Sequence, residues 1–126
     1  MTLKITKSDL DKNNFYKEDG IDTNDDIEIA AGLGYVKFKL SVVTTKSITA
    51  FAGSGITAGW GINAGSDINA GSGIIAGSGI ITLFGNIKAK FVSCLRIAAG
   101  VNSTETYTIE AKIRNGDVLL GKLNKK

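Results

Sequence analysis

Histidine and proline are missing altogether from the 126 residues, and cysteine, methionine and tryptophan occur once each. Without histidine there is no Ser-His or Cys-His nucleophile pair and no histidine-based metal site. A lone Cys94 closes no disulfide within the chain and suits a reducing cytosol; in FVSCLRIAAG it reads as a small apolar filler. The absence of proline, with glycine not at every third position, excludes collagen and polyproline bundles. None of the glycines is followed by the Gly-Lys-Ser/Thr of a phosphate-binding loop, and DGIDTNDD lacks the alternating ligands and closing glutamate of an EF-hand. Neither a cofactor nor a metal is expected, and the chain reads as no enzyme.

Long uncharged runs do occur, in 47–66 and 68–87, separated by Asp67. Each is long enough to span a bilayer, but both are crowded with glycine, serine and asparagine, so no membrane association is expected. MTLKITKSDL has neither an apolar run nor a small-residue cleavage site, so no secretory signal is expected there and a cytoplasmic location is. The apolar share of 43% and charged share of 21% suit one soluble domain. The net charge of +3 is uneven: residues 1–49 carry seven lysines against eight acids, 50–85 carry only Asp67, and 86–126 carry eight Lys and Arg against three acids.

What the chain has in abundance is one six-residue phrase. From Ala50 to Gly85 it reads AFAGSG, ITAGWG, INAGSD, INAGSG, IIAGSG, IITLFG. Six residues advance a helix by about 600°, which would scatter the isoleucines around its surface. An extended segment puts Ile and Ala, two apart, on one face, and the glycines then permit a positive φ at a corner. Three such sides give a coil of 18 residues, with parallel strands stacking Ile56 over Ile74, Ile62 over Ile80 and Ala58 over Ala76. The expected fold is all-β: a short β-solenoid of two coils over 50–85, with N-terminal strands and cap over 1–49 and C-terminal strands over 86–126.

The hexad resembles that of left-handed hexapeptide β-helix proteins, an aliphatic residue followed four positions later by a small one. Ile62 with Ser66, Ile68 with Ser72 and Ile74 with Ser78 obey it; Ile56 with Trp60 and Ile80 with Phe84 do not. The acyltransferases that share this solenoid use a histidine base, which is missing here. Tandem I-x-A-G-x-x followed by IKAK at 87–90 and LRIAAG at 95–100 looks like small glycine-rich repeat proteins of bacteriophages and prophages. That resemblance, from Ala50 to the C-terminus, implies an inhibitor of a bacterial defence such as a CRISPR effector, acting in the bacterial cytoplasm on a protein or ribonucleoprotein target.

Raw solenoid ends need covers. Tyr35 to Leu40 alternates as a strand, and a short helical turn is expected within 8–14. Tyr107, Ile109, Ala111 and Ile113 alternate with polar residues before Asn115-Gly116, a type I′ hairpin signal. The second slot of each hexad points outward: Thr57, Asn63 and Asn69, then Ile75 and Ile81. Outward isoleucines need cover from a terminal segment or a homodimer partner.

The candidate interface is therefore Trp60, Asn63, Asn69, Ile75 and Ile81, with Trp60 as anchor. Phe84, in the same slot as Trp60, is expected in the core. Glu18, Asp19, Asp22, Asp25, Asp26 and Glu28 hold half of the twelve acids in 11 residues; of these Asp22, Asp25, Asp26 and Glu28 form a candidate acidic patch that could face a basic groove. Lys88, Lys90, Arg96, Lys112 and Arg114 form a candidate basic patch. A self-assembling solenoid module is the alternative reading.

Overall fold

The computed structural model describes residues 2–99, 108–120 and 122–124, with Leu95, Lys112 and the residues from 114 onward described as backbone. Strand accounts for 59% of the chain and helix for 3%, and parallel ladders form a β-solenoid of about five turns. The first face stacks β1 (Thr2–Ile5), β3 (Asp26–Ile29), β6 (Ile48–Ala50), β9 (Ile68–Ala70), the start of β12 (Ile87–Ala99), the start of β13 (Thr108–Leu120) and β14 (Lys122–Asn124). The second face stacks β2 (Ile21–Thr23), β5 (Val42–Thr44), β8 (Ile62–Ala64), β11 (Gly79–Thr82) and the end of β12. The third stacks β4 (Gly34–Phe38), β7 (Ser54–Ala58), β10 (Ile74–Ala76) and the middle of β12.

The repeat strands turn two side chains two residues apart inward, as the period of two requires, one large and one small in β6, β8 and β10 and both large in β3. The expected stacking holds: Ile56 lies against Ile74, Ile62 against Ile80 and Ala58 against Ala76. Ile48, Ile56, Ile62, Ile68, Ile74 and Ile80 have no exposed surface at all. Burying each isoleucine contributes about 1.5–3 kcal/mol, and β-branching suits it to the pleat. Together they form one apolar column per face.

Three expectations about the frame need correcting. The first hexad is offset: Ile48 and Ala50 are the inward pair, in register with Ile68 and Ala70, while Ala52 is exposed at a corner. The flanks are further coils as well as covers, since β1 to β6 and β12 to β14 continue the parallel ladders. No hairpin forms at Asn115-Gly116. There β13 runs on in parallel with β12, with Ile87, Val92 and Ile97 opposite Ile109, Ile113 and Val118 and Ser93 opposite Asn115. Continuing the parallel ladder with β12 outweighs one local turn preference.

The repeat glycines also act differently from expectation. Positive φ among the described glycines occurs only at Gly32, Gly34 and Gly53. Gly59, Gly65 and Gly77 are needed for close approach instead, because a Cβ there would run into the carbonyl oxygens of Lys39, Thr45 and Gly59 on the preceding coil.

A loop covers the N-terminal end. It holds a 3-10 turn (Lys7–Asp9), which overlaps the expected helical turn of 8–14 only at Ser8 and Asp9, and an antiparallel bridge between Leu10 and Tyr16. The buried Tyr16 ring sits 5.3 Å from that of Phe38, closing the end of the core. The Asp11 carboxylate accepts the Asn13 and Phe15 N–H groups, which holds its pKa below the usual value.

Candidate functional site: a groove on the second face

The second face has a narrow floor of small residues. Gly20, Ser41, Gly61 and Gly79 each precede an inward aliphatic, and Arg96 continues their line on β12. On one side of this floor Asp22, Val43, Asn63, Ile81 and Ala98 run in register down the ladder. On the other, backbone N–H groups of Leu40, Trp60 and Ser78 donate to the carbonyls of Asp19, Leu40 and Trp60, at 2.8, 3.1 and 2.6 Å. Trp60 thus stands over Ser78 as expected, on a corner fixed by hydrogen bonds above and below.

Between these walls lies a groove of about 340 Å³ lined by Gly20, Ile21, Asp22, Leu40, Ser41, Val43 and Trp60. Trp60 is 61% exposed and Leu40 39%. Large apolar side chains held in water on a rigid frame are characteristic of contact surfaces. Leu40, Ser41 and Val43 were not singled out from sequence. The signal was there: Leu40 precedes the inward Val42 by two residues, as Trp60 precedes Ile62.

The five interface candidates do not form one surface. Asn63 and Ile81 share the second face with the Trp60 corner, Asn69 lies on the first face, and Ile75 lies on the third between Thr57 and Ser93. Ile75 and Ile81 are half-buried, and of the covers expected for them, a terminal segment or a homodimer partner, the C-terminal hairpin is not formed, since β13 continues the parallel ladder. Phe84 is 53% exposed, contrary to its expected place in the core, and Phe51 is 46% exposed. They occupy other corners: Phe51 lies between β6 and β7, and Phe84 between β11 and β12.

The acidic candidates divide by role. Asp22 is exposed and lines the groove. Asp26 accepts the Ser47 N–H at 3.0 Å, as Asp67 accepts that of Asn86 at 2.7 Å and the Asn86 side chain that of Thr108 at 2.7 Å. These residues occupy one corner column and brace it. The Asp25 carboxylate accepts from the Thr23 hydroxyl at 3.4 Å, and its carbonyl accepts from the buried Thr44 hydroxyl. Glu28 lies on the first face beside Lys4 and Thr49.

The basic candidates are equally dispersed. Lys88 lies 3.9 Å from Glu110 on the first face, where a second groove of about 290 Å³ is lined by Asp67, Asn69, Asn86, Lys88, Thr108 and Glu110. Lys90 is exposed at the next corner and Arg96 on the second face. The side chains of Lys112 and Arg114 lie outside the described residues. Among the described residues no helix is long and apolar enough to cross a membrane.

Compared with protein-family models, curated proteins and solved structures, the chain matches none.

Proposed function

We propose that this protein is a non-catalytic binding module of the phage or prophage kind, which inhibits a bacterial defence complex such as a CRISPR effector in the cytoplasm by covering a protein- or nucleic-acid-binding surface. The observation that carries the binding role is Trp60, 61% exposed on a corner whose backbone is hydrogen-bonded to both neighbouring coils. A tryptophan in water forgoes the burial that ordinarily places it inside, and a rigid mount lowers the ordering cost of contact. The inhibitory role is supported by the repeat's resemblance to phage proteins, and occlusion is the mechanism a rigid wedge offers.

The test is phage plating on bacteria with an active CRISPR defence. Expression of the wild type is expected to raise plating efficiency, and Trp60→Ala, which leaves the core untouched, is expected to abolish that gain. A wild type that leaves plating unchanged would remove the inhibitor reading.

A second reading, self-assembly, is favoured by one observation. Among the described residues, β13 pairs along its outer edge only at Thr108–Glu110, with β14. An unpaired strand edge is a template for another chain. Light scattering separates the readings, since assembly gives a mass that grows with concentration.

A further inference from the structure

We infer that the groove between Asp22 and Trp60 receives an arginine side chain presented by the partner protein. The inference rests on the reading of the second face as a binding surface and names what that surface recognises.

Three features converge on this chemistry. The groove is shallow and open, with the small Gly20 and Ser41 between the large Trp60 and Leu40 of the corner and Val43 of the ladder. An open groove beside an exposed indole lets a flat group lie against the ring. Asp22 lines the same groove and is exposed, so the lining adds one carboxylate to a mainly apolar surface. Glu18 and Asp19 are exposed on the loop that leads into β2, and Asp19 starts the column that Leu40 and Trp60 continue. The nearby Lys17 is engaged with Asp9 at 3.3 Å.

Other occupants fit less well. An anionic group would meet Asp22 and Asp19. A purely apolar side chain would cover the Asp22 carboxylate without giving it a partner, at a desolvation cost. Lysine meets the charge but not the geometry, being a compact and strongly hydrated ammonium. Arginine meets both: its planar guanidinium stacks on an aromatic face, forks onto a carboxylate and is weakly hydrated.

Trp60 is the sole tryptophan, so intrinsic fluorescence reads this groove directly. The experiment titrates the full chain with three short glycine-flanked peptides carrying arginine, lysine or the uncharged isostere citrulline. The arginine peptide is expected to give a saturable change at millimolar concentration that weakens with added salt, lysine to bind severalfold more weakly, and citrulline not to bind. Asp22→Asn is expected to weaken the arginine peptide about fivefold, the order of one exposed ion pair. Backbone amide shifts of residues 20–22, 40–43 and 60 in the wild type provide a readout independent of any variant's folding.

No saturable response, equal binding of citrulline, or full affinity in a folded Asp22→Asn would overturn the inference. So would a doubled mass by light scattering that dissociates as the fluorescence changes, which would assign the groove to a second copy of this chain. A protein that binds the arginine peptide but leaves phage plating unchanged retains the groove chemistry and loses the inhibitor reading. One that raises plating without binding the peptide loses this inference alone.

Discussion

A methyl group is the smallest side chain that can be added to glycine, and at the corners it has nowhere to go. At Gly59 it would meet the Lys39 carbonyl of the coil before, so Gly59→Ala must separate two coils and is expected to lower stability by about 1–3 kcal/mol, the range of overpacked sites. Gly32 is a contrasting case, with open space around its Cβ position but φ of +74°. There alanine meets only backbone strain, and a cost of about 1 kcal/mol is expected. Urea denaturation midpoints of the two variants check the order. Cys94 provides a test by pH. Burial pushes its thiol up to about 11 from 9.0, while its S–H lies 3.2 Å from the Arg96 carbonyl. A raised folded value means the thiol's contribution to stability is complete below the unfolded value of 9.0 and is lost as pH rises through about 11. A disulfide reagent at pH 8 is therefore expected to label Cys94 only as fast as the protein opens, and the rate in urea should track unfolding.

The strands were legible in the sequence because their rule is local: two inward positions, two residues apart. What hid the remaining coils was the corners, which vary in length. Ile48 and Ala50 obey the rule, but five residues separate them from Ile56 where three would keep the beat, so the period broke and the frame slipped. The groove was half legible. Trp60 and Asp22 are each legible as candidates, one as an anchor and one in an acidic patch, whereas Leu40 is not, and the nearness of the three exists only once coils stack. Two substitutions test how these elements hold together. Ile62, fully buried between Val42 and Ile80, is expected to cost about 2–5 kcal/mol as Ile62→Ala. The corner column predicts that Asp67→Ala, which frees the Asn86 N–H, costs about 1 kcal/mol. Asp22→Ala, in the same acidic class but on the groove rim, should cost nothing measurable. Thermal melts of the three variants rank them, and an Asp22 variant as damaged as the Asp67 one would refute the division between brace and surface.

Size sets the final constraint. Coils about 4.8 Å apart make a face roughly 24 Å tall over five turns, and a six-residue side is at most about 20 Å wide, a flat footprint of roughly 500 Å². A stable protein–protein interface buries about 800 Å² of accessible surface on each partner. Trp60 stands at the margin of the second face, so a partner anchored on it meets both faces that its corner joins. That corner joins β7 on the third face to β8 on the second, so the contact has to spill toward Thr57 and Ile75. Ile75, set apart from Trp60 by the fold, then returns to the same interface from the other side, while Asn69 on the first face stays outside it. Ile75→Lys is expected to reduce the gain in phage plating severalfold with no change in melting temperature, because its half-exposed position tolerates a long polar chain. Asn69→Lys should leave the gain intact. The opposite result would place the partner on the polar first face and leave the Trp60 corner without a role in binding.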